Sequence, residues 1–255
     1  MSKVNKPLIY TVIAIVLLLA GSYFYQQATD ETQETQETAE KVDFSQYAAG
    51  VERKQVFVDY FKPLIEAENI RTLALREKII QAQDKATKPR WLNKVVNDYR
   101  IVPFDEKDPA QWRELLTRVD AVPVSLALAQ AANESGWGTS RFARQGNNFY
   151  GQWCYTKGCG IVPSSRGAGE NHEVAAFDSP RQSVAAYILN INSHPAYTEL
   201  RAIRAKLREQ QPVTGAALAV GLLNYSERRE EYVEELRAMI RHNNWARLDL
   251  AGPAS

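Results

Sequence analysis

The sequence predicts a mainly helical α+β fold, with a small β-containing lobe and a cleft between the lobes. Three observations predict it. Apolar residues recur at helical spacing over most of residues 57–132 and again over residues 180–240. Between residues 147 and 177 this spacing stops, and Gly, Pro, Asn and Cys become frequent. Within that interval, residues 149–150 and 172–177 are short apolar segments that we expect to form strands.

The beginning of the chain lies outside this fold. Residues 8–25 contain no charged side chain, and as a helix they would extend about 27 Å, close to the thickness of the apolar core of a bilayer. Lys3 and Lys6 precede this segment and acidic residues follow it, so the positive-inside rule places residues 1–7 in the cytoplasm. We therefore predict a single-pass protein of the inner (cytoplasmic) membrane, with a signal anchor at residues 8–25 and the remaining chain on the periplasmic side.

A cleaved signal peptide is the alternative interpretation of the apolar segment. The residues that follow it, 23–27, offer no small-residue cleavage site, which favours an uncleaved anchor. Residues 26–41 are rich in Thr, Gln and Glu and have almost nothing apolar to bury, so we predict a disordered acidic linker there.

Several helices are expected before the irregular lobe. Residues 42–90 carry apolar side chains at helical spacing with many charges between them, which is typical of surface helices that pack one face. Pro63 is expected to kink or divide this helical N-terminal region. Asp108 and Pro109 form a helix start, with Asp as the cap and Pro at the first position, and another helix starts at Pro123. The pattern does not decide whether residues 42–90 share one domain with the rest.

Charge and cysteine content exclude some classes of function. The chain has 255 residues and a formal net charge of +1, which does not favour nucleic-acid binding. Cys154 and Cys159 are the two cysteines, and outside the cytoplasm we expect them to form a disulfide, with two free buried thiols as the alternative. The histidines, His172, His194 and His242, show no metal-ligand spacing, and no nucleotide-binding loop is present, so we predict no metal and no cofactor.

One carboxylate stands out at the end of an apolar helix. Glu134 is the only acidic residue of the predicted helix over residues 123–135, and a Gly-Trp-Gly break follows it at residues 136–138. Burial against apolar walls raises the pKa of a Glu, so that it can still donate a proton near neutral pH. We therefore predict that Glu134 is a general acid of the kind that sugar-bond hydrolysis needs. The alternative is a solvated Glu at a helix end.

Two motifs stand in order along the chain, LAQAANESGWGTS at residues 128–140 and NNFYG at residues 147–151. In both, the chain resembles the bacterial glucosaminidase domain, the peptidoglycan-cleaving group that includes the flagellar-rod hydrolase. The resemblance is greater to its Bax-type branch, at WCY (153–155), GCGIVP (158–163), HEVAAF (172–177) and YSER (225–228). It covers about residues 90–245, so we expect a glucosaminidase catalytic domain at residues 91–247.

The resemblance implies a lysozyme-like fold with a long cleft. It also implies an endo-β-N-acetylglucosaminidase that cleaves the β-1,4 bond after N-acetylglucosamine in cell-wall glycan strands. By position, Glu134 matches the general acid of the family. For the second carboxylate, on the β-containing lobe, we favour Glu173 over Glu170 because Glu173 lies on the more strand-like segment. Tyr225 matches the functional tyrosine of the family and would position the acetamido group or a water molecule, unless it is a core residue.

Side chains near Glu134 in the sequence are suited to binding sugar. Amides can donate to and accept from hydroxyl and acetamido groups, and aromatic rings can stack on sugar faces. We predict substrate binding by Asn147, Asn148, Tyr150, Gln152 and Trp153.

The mechanism and some alternative functions stay open. Two widely spaced carboxylates would allow inversion of configuration, whereas attack by the N-acetyl group of the substrate would need only one acid. A lytic transglycosylase or muramidase on the same fold, or a non-catalytic membrane-tethered glycan-binding scaffold, are alternatives. A peptidase that uses Cys154 with His172 is less favoured, because the paired cysteines favour oxidation. The expected partners are peptidoglycan glycan strands and the inner membrane, while the oligomeric state is not indicated.

Overall fold

A computed structural model of the chain describes residues 42–85, 89–164, 166–167, 169–210 and 212–250. The chain from Asp43 onward forms one unit that is built mainly from helices. Its helices are α1 Val51–Asp84, α2 Arg90–Asp98, α3 Pro109–Arg118, α4 Val124–Ser135, α5 Arg141–Gly146, α6 Pro180–Ser193, α7 Thr198–Gln210, α8 Gly215–Leu218, α9 Glu230–His242 and α10 Arg247–Leu250. Short 3-10 turns lie at Phe44–Gln46, Pro195–Tyr197 and Ala219–Leu222, and the strands are β1 Trp153–Cys154, β2 Gly160–Ile161 and β3 Glu173–Ala175. The mainly helical α+β class is confirmed.

Helix α4 is the centre of the fold, and α1, α8, α9 and α10 pack around it. Nearly all of its side chains are buried, which is why the sequence reads as an almost continuous apolar run. At its start, the Asp249 carboxylate accepts hydrogen bonds from the backbone N–H and the hydroxyl of Ser125. At its end, Gly136 takes the left-handed conformation, with φ 57°, and the N–H of Trp137 donates to the carbonyl of Ala132.

Helix α1 has 34 residues and runs through Pro63 instead of ending there. The expected division of this region at Pro63 is therefore wrong. Pro63 and Asp59, the residue whose backbone carbonyl loses its helical hydrogen bond, are both exposed, so water can replace the donor. On the opposite side, buried residues such as Phe57 and Phe61 pack toward α4 and α6. The Phe61 ring lies 4.6 Å from that of Phe149, so α1 is part of the core around the second motif.

The β-containing lobe is a small antiparallel sheet in the order β1-β3-β2. Trp153 lies opposite Val174 and Cys154 opposite Glu173 in its register. Gly160 is needed on β2, because a Cβ there would lie 2.0 Å from the carbonyl oxygen of Val174. Cys154 and Cys159 form a disulfide with a Cα–Cα distance of 6.3 Å, which closes the loop between β1 and β2.

The expected strand at residues 149–150 is wrong, whereas the segment 172–177 contains β3. Phe149 and Tyr150 form a turn, and both side chains are buried in the helical core. The Asn148 side chain supplies the hydrogen bonds that a partner strand would have supplied. Its amide donates to the carbonyl of Ala175, and its oxygen accepts from the N–H of Tyr150.

A buried arginine ties the first helices to α6 and α7. Arg204 donates to the carbonyl of Ala121 at 3.1 Å, to the carbonyl of Thr117 at 2.9 Å and to Oδ1 of Asn192 at 2.7 Å. Its guanidinium also lies 3.6 Å from the Asp120 carboxylate. Burial lowers the pKa of Arg204 to about 10, so the group is still charged at neutral pH. The segment between α3 and α4 is thereby tied to α6 and α7.

Within the described residues, no helix is both long and apolar enough to cross a membrane. The predicted cytoplasmic segment 1–7, the signal anchor 8–25 and the linker 26–41 lie outside the described residues. The membrane partner and the inner-membrane location therefore stay predictions.

Candidate active site

Glu134 lies in the last turn of α4 and is half-buried. The next residue, Ser135, stabilises the break that follows, because its hydroxyl donates to the carbonyl of Ala131 and accepts from the N–H of Gly138. The second motif lies directly against the carboxylate. Gly151 has φ 64°, and a Cβ on it would lie 3.3 Å from Oε2 of Glu134. The fold thus brings the two motifs together around this one carboxylate.

Burial raises the pKa of the Glu134 carboxyl above its ordinary value. Side-chain hydrogen bonds with Tyr232 and Asn133 oppose this effect, as does the positive charge of Arg228. A carboxyl in this situation keeps its proton to higher pH than an exposed Glu, which is the property required of a general acid.

Tyrosine rings form much of the wall around Glu134. The Tyr225 ring stacks on that of Tyr232, with centroids 5.6 Å apart, and Tyr150 stacks on Tyr187 at 3.9 Å. The Tyr225 hydroxyl donates to the carbonyl of Tyr150 at 2.7 Å. Burial raises the pKa of Tyr225 well above 10, so it is a neutral phenol at physiological pH. Its oxygen can still accept a hydrogen bond while its proton is directed to Tyr150.

Glu173 lies on β3 and is 5% exposed. Its two carboxylate oxygens accept backbone hydrogen bonds from Gly158 at 3.0 Å and Gly160 at 2.9 Å, and these bonds hold its pKa below the ordinary value. The group thus fastens the disulfide loop to the sheet. Glu170 is exposed and accepts from the N–H of Gly167 at 2.8 Å. Whether either carboxylate takes part in a reaction stays a prediction.

The five predicted sugar-binding residues differ in burial and in their hydrogen-bond partners. Asn148 and Tyr150 are packing residues: Asn148 holds the turn, and the Tyr150 ring is 1% exposed, which leaves no face for a sugar. Asn147 donates to the carbonyl of Phe177, but its Oδ1 and Oε1 of Gln152 are buried acceptors without a partner among the described residues. Trp153 is 58% exposed.

The Trp153 side chain presents a flat, exposed ring face. Its ring stacks on that of His172 with centroids 4.2 Å apart and planes 12° from parallel. Because His172 covers one face and the residue is still largely exposed, the other face of the indole is open to a flat ligand.

Among the described residues, one group of His, Cys, Asp and Glu side chains has metal-ligand spacing, and it consists of Cys154, Cys159 and Glu173. The two sulfur atoms are joined in the disulfide, and thiolates are the form of Cys that binds metals. The arrangement therefore suits the fastening of a loop better than the binding of an ion.

Three residues of the site were not predicted from the sequence: Gln130, Tyr187 and Tyr232. Gln130 is fully buried on α4 and bonds to both tyrosines. A signal was available for Gln130, since it is a large polar residue in an apolar run and lies one helical turn before Glu134. The tyrosines are brought there by the tertiary fold, and their local sequence does not mark them.

Comparisons with known proteins identify the family of the chain. The family model described as mannosyl-glycoprotein endo-beta-N-acetylglucosaminidase, the glucosaminidase family, matches residues 110–245, which is more than half of the chain. The chain is 34% identical over 206 residues to a protein of Escherichia coli (strain K12) named "Protein bax", covering 79% of this chain and 73% of that protein. No solved structure matches. The chain therefore belongs to the glucosaminidase family, and the match to the Escherichia coli relative covers most of the chain.

Proposed function

We propose that this protein is a peptidoglycan hydrolase, an endo-β-N-acetylglucosaminidase that cuts the β-1,4 bond after N-acetylglucosamine in cell-wall glycan strands. Glu134 is its general acid in this proposal. The observation that carries it is the environment of the Glu134 carboxyl: half-buried, with a pKa raised by burial, and placed where the two family motifs meet. Membership of the glucosaminidase family supports a glycosidase that acts on peptidoglycan.

The first chemical step needs one proton. Glu134 transfers its proton to the oxygen of the glycosidic bond, and the bond from that oxygen to the anomeric carbon breaks, with its electron pair leaving on the oxygen. Positive charge then develops at the anomeric carbon and must be met by a nucleophile.

The contacts favour attack by the acetamido oxygen of the substrate over a second catalytic carboxylate. Both oxygens of Glu173 already accept backbone hydrogen bonds, so taking a proton from water would weaken one of them. Tyr225, in contrast, lies in the cluster around Glu134 and keeps an acceptor lone pair. It can accept from the acetamido N–H and thereby turn the acetamido oxygen toward the anomeric carbon. Attack by the acetamido oxygen forms a bond to the anomeric carbon and closes a cyclic intermediate. Water then attacks the anomeric carbon and breaks that bond, and its proton passes to the Glu134 carboxylate, which restores the acid.

Trp153 supplies the binding surface next to the reaction centre in this proposal. It follows Gly151 by two residues, which span at most about 7 Å, and a Cβ on Gly151 would lie 3.3 Å from Oε2 of Glu134. The open face of the indole is therefore close enough to hold a sugar neighbouring the one that is cleaved. The unpartnered acceptors of Asn147 and Gln152 are buried, so the predicted contact of these two residues with that sugar would require their side chains to move.

We also propose the domain organisation and the location that the sequence predicts. A charge-free segment at residues 8–25 supports the inner-membrane anchor, and the disulfide suits an oxidising compartment such as the periplasm. The contact between Phe61 and Phe149 implies that the helical N-terminal region 42–90 is needed by the catalytic domain at residues 91–247.

The decisive experiment is digestion of purified cell-wall sacculi by the full chain in detergent, with mass spectrometry of the released fragments. We expect fragments that end in reducing N-acetylglucosamine. Anhydro-muramic ends would instead identify a lytic transglycosylase, and reducing muramic ends a muramidase. The variant Glu134→Gln should be nearly inactive, while Glu209→Gln, an exposed Glu near the end of α7, should match the wild type. Equal turbidity loss with Glu134→Gln would remove the proposal.

A further inference from the structure

A chain of buried hydrogen bonds runs across α4 one turn before Glu134. The Tyr187 hydroxyl donates to Oε1 of Gln130 at 2.6 Å, and Nε2 of Gln130 donates to the Tyr232 hydroxyl oxygen at 3.0 Å. All three side chains are almost completely buried. Tyr232 is also a neighbour of Glu134, and its hydroxyl acts on the carboxyl group in the direction that favours the ionised form. Two tyrosines on different helices, α6 and α9, are thus joined through one amide, and one of them faces the candidate acid.

The amide determines the direction of these bonds. Its oxygen is taken by the Tyr187 proton, so its nitrogen faces Tyr232, and an amide nitrogen can only donate. The oxygen of Tyr232 therefore acts as an acceptor toward Gln130. The one proton of the Tyr232 hydroxyl is left to point at the Glu134 carboxyl group. With the amide turned over, Tyr232 would donate to Gln130 and could offer Glu134 only a lone pair.

We propose that Gln130 and Tyr232 are positioning residues for Glu134. Gln130 orients the Tyr232 hydroxyl so that its proton points at the carboxyl oxygen that becomes charged when Glu134 gives up its proton. This inference rests on the proposed role of Glu134 as the acid. A hydrogen bond from a phenol is stronger to a carboxylate than to a neutral carboxyl group. The bond therefore strengthens as the proton moves to the leaving oxygen, and interactions that strengthen toward the transition state accelerate the reaction.

Other groups also face Glu134, and among them the Asn133 side chain likewise favours the ionised form of its carboxyl group. Electrostatic neighbours of Glu134 are Tyr187 on α6, Tyr197 in the 3-10 turn before α7, Tyr225 and Arg228 before α9, and Tyr232 and Glu235 on α9. The four tyrosines are neutral, because burial raises the pKa of each, that of Tyr197 to about 12. Arg228 and Glu235 form an ion pair with each other, and their opposite charges act against one another at Glu134.

The test is a carboxyl-carbon NMR titration of Glu134 in the full chain, with the resonance assigned by its loss in Glu134→Gln. We expect Tyr232→Phe to raise the pKa of Glu134, because the donor that favours the ionised form is removed. Gln130→Met keeps the volume but frees the Tyr232 hydroxyl, so a smaller rise is expected. Tyr60→Phe is the matched control, since the Tyr60 ring lies on α1 against the rings of Phe44 and Phe61 and its loss of a hydroxyl should leave this pKa unchanged.

Sacculus digestion by the same variants supplies a second readout. In Tyr232→Phe, kcat/KM should fall roughly 10-fold, and the high-pH limb of its pH profile should move to higher pH, which a loss of packing alone would not produce. An unchanged or lowered pKa of Glu134 in Tyr232→Phe would overturn the inference, and an unchanged pKa in Gln130→Met would remove Gln130 from it. If Tyr232→Phe does not fold, Gln130→Met decides by the same criterion. If the wild type does not digest sacculi but the pKa of Glu134 still rises in Tyr232→Phe, the proposed function is rejected, while the effect of Tyr232 on Glu134 stands.

Discussion

Gly151 lies directly against the carboxylate of Glu134: a Cβ added to Gly151 would be 3.3 Å from Oε2. Glycine is required there for two separate reasons. Its φ of 64° is a conformation that other residues adopt at a cost, and any side chain would press on the acid. The two requirements can be separated experimentally, because Gly158 has φ 82° and nothing within 4 Å of the position of its Cβ.

We expect Gly151→Ala to lose activity and stability, and Gly158→Ala to lose stability alone. The left-handed conformation should lower the free energy of unfolding by about 1–2 kcal/mol in both variants. Only Gly151→Ala displaces the Glu134 carboxylate, so its kcat/KM should fall by at least about 10-fold further than that of Gly158→Ala. Urea unfolding and sacculus digestion measure the two effects. Equal activity of the variants would contradict the close contact between Gly151 and Glu134.

Glu134 should lower the stability of the protein at neutral pH. Burial raises its pKa in the folded state above the value of 4.5 in the unfolded chain, so the folded state binds the proton more tightly. The free energy of unfolding therefore decreases as the pH rises from about 4.5 to the folded pKa, and stays at the lower level above it. Glu134→Gln should be more stable than the wild type at pH 7, by about 0.5–2 kcal/mol.

The pH dependence provides the control for this prediction. Below pH 4.5 the wild-type carboxyl is protonated in both states, so the stability difference between wild type and Glu134→Gln should disappear. Glu209→Gln, an exposed residue, should match the wild type at every pH. Thermal unfolding from pH 4 to pH 8 tests this, and a Glu134→Gln variant less stable than wild type at pH 7 would contradict the burial of the charge.

The parts of the site that could be predicted from sequence are those encoded by local pattern. Helix α4 has an apolar run long enough to indicate burial on all sides, and its one acid stands beside the Gly136 stop signal. Glu134 was therefore identifiable from neighbouring residues alone. Tyr232 was not, because its place beside Glu134 depends on how α9 packs against α4, and nothing near it in the chain differs from an ordinary amphipathic helix.

The elements that differ from the prediction differ for equally local reasons. Phe149 and Tyr150 have the composition of a strand, but apolar aromatic pairs are as common in buried turns, and the pattern does not reveal the hydrogen bonds of Asn148. Pro63 suggested a break, yet a proline on the exposed side of a long helix is tolerated when the opposite face is well packed.

Glu173 distinguishes the two possible mechanisms. If it only fastens the disulfide loop, Glu173→Gln should retain activity within about 10-fold of the wild type, whereas loss of a general base should cost about 10²-fold or more. We expect the smaller effect, together with faster hydrogen exchange at the amides of Gly158 and Gly160. The pKa of Glu173 is lower in the folded protein than in the unfolded chain, so its ionised carboxylate stabilises the fold above pH 4.5. This stabilisation is lost as the pH falls through the folded pKa. A large loss of activity with unchanged exchange would instead favour the second carboxylate.

Arg204 should be among the residues most important for stability. Arg204→Met removes the donor to Thr117, Ala121 and Asn192 and leaves buried acceptors without a partner. We expect a loss of about 3 kcal/mol or more in the free energy of unfolding, as is usual when one partner of a buried polar network is removed. Arg71→Met is the control, because its pair with Glu68 is partly exposed and should be worth less than about 1 kcal/mol. Similar losses in both variants would contradict the central position of Arg204.

The exposed indole of Trp153 should contribute to glycan binding and not to the chemical step. In the Glu134→Gln background, which binds without cleavage, Trp153→Ala should weaken the affinity for a β-1,4-linked N-acetylglucosamine tetramer about 10-fold, because a sugar loses its stacking surface. Trp91→Ala removes a partly exposed indole from α2 and should leave the affinity unchanged. Calorimetric titration measures both.

In the active protein, Trp153→Ala should raise KM while kcat stays close to the wild-type value, since the ring binds the ground state and the transition state equally. A lowered kcat with unchanged KM would place Trp153 at the reacting bond. Unaltered affinity in Trp153→Ala would show that the indole does not contact the glycan.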